Sequence, residues 1–285
     1  MIDPALLLLF AAGLWAGAQN ALAGGGSFVT LPALMAAGLD AKTANLTTTL
    51  ALFPGQLTTG YAGRHLVTGT QRLSFRALAG IALLGGTLGA AILLLTPAPS
   101  FAAMLPWLVL LATLIFAWSA FRKPATATPL LPREAESGES KTAHSASGDS
   151  RDSAAGVGAR PYSAPVAPPP LALTVALQFL IAVYCGFFGG GAGFVMLASL
   201  TLARMPVRNA AGTKNVLVAL SNSAAAPVLA LSGAVAWDKA LILGTGAILG
   251  GWAGAKALSH IPDKPLKLLV ILIGTLLFIG LLVWT

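Results

Sequence analysis

Two stretches of this chain place backbone polar groups where little else polar stands. They are Ala21–Pro32, ALAGGGSFVTLP, and Gly186–Leu197, GFFGGGAGFVML. In hydrocarbon, a backbone group without a helical partner costs several kcal/mol, so a glycine run is costly there unless it shapes a site. Glycines let the chain reverse and leave no side chain between backbone and ligand. Gly24, Gly25, Gly26 and Ser27 are therefore candidate ligand-lining residues, as are Gly189, Gly190, Gly191 and Gly193. The apolar segment after each run, SFVTLPALMAA and GFVMLASLTLA, spans about three helical turns, too few to cross a bilayer. Its N-terminus would lie inside the membrane with free N–H groups and a partial positive charge, which suits an anion. Ser27 is expected to cap the first short helix. Gly193 replaces it in the second, so the first half supplies more hydroxyls, Ser27 and Thr30.

The segment after each short helix is polar for a membrane span. Residues 41–61, AKTANLTTTLALFPGQLTTGY, bring Asn45, Thr47 and Gln56; residues 208–227, RNAAGTKNVLVALSNSAAAP, bring Thr213, Lys214, Asn215 and Asn222. Such groups can simply bond neighbouring helices, at about 0.6 kcal/mol each. Their density, and the matched Thr47 and Thr213, point instead to a polar cavity. Lys214 lies six residues beyond Arg208, about 9 Å deeper along a helix. Snorkelling to the surface is its bland role; attracting an anion on the inward-facing side is the sharper one, since an intramembrane ionisable residue points to function. Lys42 and Arg208 occupy equivalent positions and read as charges at two opposite mouths.

Several chemistries are disfavoured. Outside residues 122–170 the acidic residues are Asp3, Asp40, Asp238 and Asp263, all at expected span ends, so no carboxylate is placed to relay protons. His65, His144 and His260 fall in loops, and Cys185 is the one cysteine, which leaves no intramolecular disulfide and no multi-cysteine metal site. Neither a G-x-x-x-x-G-K-[ST] phosphate loop nor a G-x-S-x-G nucleophile elbow is present. The chain reads as no enzyme, with no cofactor and no metal.

The elements that must position these residues are membrane helices. Hydrophobic residues form 56% of the chain and charged residues 9%, far below the roughly 25% charged of a soluble domain. Apolar runs at 77–95, 104–118, 171–188 and 268–284 approach or reach the ~17–25 residues that cross a bilayer as helix. The net charge of +8 lies between spans, so it signals membrane orientation and not nucleic-acid binding. The apolar N-terminal segment carries Asp3 and no cation, so a cleaved signal peptide is not expected. Trp107, Trp237 and Trp284 near outer span ends, with Trp118 at an inner one, suit interfacial belts.

A shift of 166 residues lays GGGSFVTLPAL (24–34) on GGAGFVMLASL (190–200), and pairs Lys42 with Arg208, Thr47 with Thr213 and Trp118 with Trp284. Two related units follow, a first transmembrane repeat at 1–121 and a second at 171–285. Residues 122–170, rich in Pro, Ser, Ala and Gly, are expected to be a disordered cytoplasmic linker. Four simple spans per unit would divide the remaining cations almost evenly between the two sides. Treating each glycine run as a hairpin tip places all of them inside except Lys42 and Lys239, as the positive-inside rule requires. Each unit then has a net odd number of crossings. The expected fold is an all-α polytopic membrane protein of two inverted repeats, each a glycine-tipped broken-helix hairpin plus three transmembrane helices, with both termini outside. Inverted repeats with broken helices near the midplane are a recurrent transporter design.

The glycine run GGGSFVTLPAL, the second-unit GFFGGGAGF, NAAGTKNVLVALSN (209–222) and SGAVAWDKALILGTGAILGGWAGAKAL (232–258), in this order, resemble the sulfite exporter TauE/SafE-like permeases. The resemblance spans both units and implies movement of sulfur-containing anions, sulfite or organosulfonates, across a bacterial cytoplasmic membrane. By position it implies functional stretches at Gly24–Ser27, Gly189–Gly193 and Thr213–Asn215. The residues alone reach a small anionic solute, bound near the midplane and moved by alternating access. Beside that reading stand a carrier of another anion such as a carboxylate, an anion channel, and a non-transporting assembly subunit. The partners expected are the solute and the lipid bilayer, with oligomerisation left open.

Overall fold

The computed structural model describes residues 4–22, 24–121, 169–257 and 263–284. They form ten α-helices and one 3₁₀ turn, Arg64–Leu66, with no strand among the described residues. The first five helices are α1 (Pro4–Leu22), α2 (Ser27–Ala36), α3 (Ala41–Ala62), α4 (Phe75–Leu95) and α5 (Ala98–Phe121). The second five are α6 (Leu171–Phe187), α7 (Ala192–Leu202), α8 (Val207–Ala230), α9 (Trp237–Ala257) and α10 (Asp263–Trp284). All ten belong to one compact unit, and the expected linker lies outside the described residues apart from its last two.

Burial separates these helices into an apolar shell and a polar centre. Segments Pro4–Ala21, Phe75–Leu95 and Ala98–Trp118 are long and apolar enough to cross a membrane. Leu84, Leu95, Trp107, Leu180 and Leu241 stand exposed on the outer helices, while Asn45, Thr47, Thr48, Thr213, Lys214 and Asn222 are buried on α3 and α8. A soluble protein has the reverse arrangement; here the exposed apolar belt matches a lipid solvent. The polarity of α3 and α8 belongs to helices shielded from that solvent.

The short helices follow from the glycines. Gly24 and Gly25 before α2, and Gly189 and Gly191 before α7, have φ between +70° and +95°, a left-handed backbone that other L-residues rarely adopt. Each run turns the chain and starts a helix of ten or eleven residues. The expected Ser27 cap is not found. Ser27 is already the first helical residue, and Gly26 holds the cap position without a side chain. The Asn20 side chain instead accepts the Gly26 N–H at 2.8 Å.

Contacts between glycines and facing backbone fix the relative direction of several helix pairs. A Cβ on Gly246, Gly250 or Gly254 would collide with Phe10, Leu14 or Ala18 respectively, so α1 and α9 run parallel. Gly85 meets Ala182, and Gly89 meets Gly186 and Phe187, so α4 and α6 are parallel as well. In membranes such small-residue stripes let helices approach closely. Conversely, α3 and α8 are antiparallel: Gln56 bonds Asn222, and Gly63 packs on Gly212.

Residues paired by the 166-residue interval also touch one another. Gln56 and Asn222 stand 166 residues apart and are hydrogen-bonded at 2.5 Å. The same interval separates Phe28 from Phe194, whose ring centroids lie 6.4 Å apart. Gly25 faces the Phe194 ring while Gly191 faces the Phe28 ring. Thr47 accepts the Ala236 N–H ahead of α9, and Thr213 accepts the Thr68 N–H ahead of α4.

Candidate functional site

Five helices and two glycine turns converge on one recess. The end of α1, its glycine turn and the start of α2 bring Asn20, Gly24 and Ser27; α3 brings Gln56 and Thr59; the second turn and α7 bring Gly189 and Gly193. From α8 come Lys214, Asn215 and Val218, at helical spacings that share one face. The recess is open to its surroundings, and the non-atom space at it, open solvent included, is about 410 Å³.

Lys214 dominates the electrostatics. It is 6% exposed, and its ammonium sits between the two glycine turns. A Cβ built on Gly24 or Gly193 would lie 3.7 or 3.5 Å from Nζ. Both glycines therefore leave open the space directly before the charge. Among the described residues Nζ has no hydrogen-bond or ion-pair partner, and no carboxylate lines the recess. An ammonium on a buried side chain with access to the recess alone is poorly hydrated, and a bound ion of opposite sign offsets that cost.

Further donors surround it. Within the first turns of α2 and α7, most N–H groups find carbonyls of the glycine turns: Phe28 on Gly25, Val29 on Gly26, Ala192 on Gly189 and Phe194 on Gly191. The N–H groups of Ser27 and Gly193, both at the recess, have no partner among the described residues. Helix N-termini favour negative charge through such amides and the aligned peptide dipoles. The Gln56 carbonyl accepts from Asn222 and the Asn20 carbonyl from Gly26, so both NH₂ groups stay free to donate. The Thr59 hydroxyl donates to the Gln56 backbone carbonyl at 3.0 Å and offers only lone pairs. An ammonium, two amide N–H groups, two carboxamides and the Ser27 hydroxyl can thus hold and desolvate a small oxyanion.

Of the residues singled out from sequence, the structure brings Gly24, Ser27, Gln56, Gly189, Gly193, Lys214 and Asn215 together at the recess. The remaining eight do not line it. Gly25, Gly26, Gly190 and Gly191 shape the two turns, held by Gln19, whose side chain donates to the Gly25 carbonyl, and by Tyr184, whose hydroxyl donates to the Gly190 carbonyl at 2.6 Å. Asn45 donates to the Phe187 carbonyl at 3.1 Å. Thr47 and Thr213 tether loops, and Asn222 orients Gln56 from behind. Lys42 is no mouth charge: its ammonium donates to the Leu94 and Thr96 carbonyls at 2.9 and 2.7 Å, closing the C-terminus of α4. Asn20, Thr59 and Val218 complete the recess without having stood among the candidates. Only Thr59 carried a sequence signal, as part of the polar run on α3.

Known proteins resemble this chain along nearly its whole length. A model of the family described as sulfite exporter TauE/SafE matches residues 9–281. The chain is 29% identical over 280 residues to the probable membrane transporter protein ORF9 of Sinorhizobium, covering 97% of this chain and 92% of that protein. It is 26% identical over 287 residues to the probable membrane transporter protein YfcA of Escherichia coli K12, covering 99% and 91%. A probable membrane transporter protein of Haemophilus influenzae is 27% identical over 253 residues, covering 88% and 84%. No solved structure matches.

Proposed function

The chain belongs to the sulfite exporter TauE/SafE family and is a multi-pass membrane transporter, and on that premise we propose that it carries a small sulfur-containing anion, sulfite or an organosulfonate, across the bacterial cytoplasmic membrane. The observation that carries this reading is Lys214, a buried side chain whose ammonium faces the recess between two glycine-tipped helix starts with no protein partner among the described residues. An oxyanion seated there neutralises the lysine and accepts the free N–H groups of Ser27 and Gly193, which water serves less well once the recess closes. The sulfonate or sulfite head matches the donor set in having several acceptor oxygens around one centre.

Transport follows by alternating access, with the two units acting as inverted repeats. Supporting this are the antiparallel course of α3 and α8 and the reciprocal contacts Phe28–Phe194 and Gln56–Asn222. Transporters of that design bind substrate at the repeat interface, between the N-termini of broken helices. Arg64, Arg204 and Arg208 are exposed at the end of the molecule nearer Lys214, so the positive-inside rule puts the mouth of this recess on the cytoplasmic side.

The test is flux in proteoliposomes, comparing sulfite, sulfoacetate, thiosulfate and sulfate with lactate and phosphate, for the parent protein and Lys214→Gln. Sulfur-anion flux that the substitution abolishes is the expected result. Flux of lactate alone would keep the site and discard the substrate class. Sulfur-anion flux indifferent to Lys214→Gln would remove the recess from the mechanism.

A further inference from the structure

The recess opens on one side of the contact made by Gln56 and Asn222, and its counterpart on the other side is shut. Applying the 166-residue interval to the recess gives Thr48 for Lys214, Thr49 for Asn215, Leu52 for Val218, Ala225 for Thr59 and Asn222 for Gln56. All five are buried, Thr48 and Leu52 to 1% exposure and Ala225 completely. The contacts that shut this second region are specific. Asn45 ties α3 to the last carbonyl of α6 at Phe187, and the Thr30 and Thr48 hydroxyls bond at 3.2 Å. The matching positions in the other half, Ala211 for Asn45 and Met196 for Thr30, have no side chain able to make either bond. Asn45 is also under-satisfied, because its Oδ1 is buried with no partner. A polar atom left so is paid for by the packing around it and is relieved when water enters.

We infer that a second mouth opens opposite the recess, lined by Thr48, Thr49, Leu52, Asn222 and Ala225, with the Asn45–Phe187 bond as its latch. This rests on the anion-carrier reading and names the surfaces that reading requires in its other state. The two mouths differ chemically. The recess presents an ammonium, and the second mouth presents hydroxyls and one carboxamide, without a cation. An anion facing the second mouth gives up its charge-assisted bond, so half-saturation measured from that side is higher by roughly tenfold or more.

The experiment is side-specific labelling with a membrane-impermeant maleimide in proteoliposomes of known orientation, in a Cys185→Ser background. Thr48→Cys and Ala225→Cys are small substitutions at the second mouth, and Val218→Cys reports the recess. Where Thr48→Cys does not transport, Thr49→Cys on the same face replaces it. The expected result is that Val218→Cys labels from one side and Thr48→Cys and Ala225→Cys from the other, in protein that still carries anions. Adding Asn45→Ala raises labelling at the second mouth and lowers it at Val218→Cys. Transport-competent protein in which Thr48→Cys and Ala225→Cys stay unlabelled, or label from the same side as Val218→Cys, overturns the second mouth and leaves the carrier reading intact. Parent protein that moves no anion under any gradient or voltage overturns both.

Discussion

Positions 166 residues apart in the sequence stand in opposite conditions on the two sides of the molecule's centre. Around Lys214 the helices stand apart and enclose a recess; around Thr48 they close on one another. The course of the helices does not explain the difference, because both halves have a left-handed glycine at matched positions, Gly25 and Gly191, followed by a short helix, and a parallel glycine-packed pair. The side chains do. On the closed side Asp40, Lys42, Asn45 and Thr48 each hold a hydrogen bond to another segment or to the start of α3. The matching positions on the open side are Pro206, Arg208, Ala211 and Lys214, of which Arg208 is exposed and Lys214 has no partner. Symmetry of fold thus coexists with a strong asymmetry of ties.

Four substitutions test that contrast, beginning with the largest effect. Thr48→Lys places an unpaired cation in the closed half. If that half is dry, the protein loses about 3–5 kcal/mol, the scale for an uncompensated buried charge, seen as a sharp fall in thermal midpoint in detergent. A tolerated lysine there would mean that the closed half already admits water. Gly89→Val sharpens the claim that both helix pairs depend on backbone contact, since a side chain at Gly89 would press into the Val183 carbonyl and the Phe187 amide of α6. Overpacking of this kind costs about 1–3 kcal/mol, and denaturation of the purified protein should show it.

An effect of similar size probes the contact across the centre. Gln56→Ala leaves the Asn222 NH₂ without its acceptor, a loss of about 1–3 kcal/mol. The exchanged pair, Gln56→Asn with Asn222→Gln, should recover most of it, because the two positions are counterparts; no recovery in a double-mutant cycle would show that the contact is incidental. The smallest effect concerns the start of α3. Partial burial alone would raise the Asp40 carboxyl, but hydrogen bonds from Thr43 and Lys42 outweigh it and hold the group below its ordinary range. Asp40→Ala removes this N-cap at a cost of about 1 kcal/mol. The Asp40 contribution is present above the unfolded carboxyl's titration range and disappears as pH falls through the lowered folded value, so the gap between parent and variant narrows in acid.

Much of this organisation was legible in sequence. A glycine run beside an apolar segment too short to span led to α2 and α7, and the repeat interval led to the paired Thr47 and Thr213. What failed was the facing of individual side chains. Thr47 stands nine residues before Gln56, roughly 180° around the helix, so it meets the loop ahead of α9. Asn45 shares the Gln56 face, yet lies about 16 Å further along the axis. Thr213 is one residue, about 100°, away from Lys214. Val218 could not be told from a lipid-facing valine, and Asn20 was hidden in an alanine- and glycine-rich arm. The Ser27 cap failed because two glycines can start a helix early enough to leave serine inside it.

The bond between Gln56 and Asn222 has an evolutionary consequence. In a symmetric dimer of one ancestral repeat, the residues meeting there would be identical, and any lysine placed at one mouth would be copied at the other. Once both repeats are encoded in a single reading frame, each position mutates alone. Gln and Asn can then divide donor and acceptor roles across the junction, and a lysine fixed at 214 leaves threonine at 48. On the proposed repeat reading, the unlike pair Gln56–Asn222 and the single Lys214 are differences that a duplicated and fused chain permits and a symmetric dimer forbids.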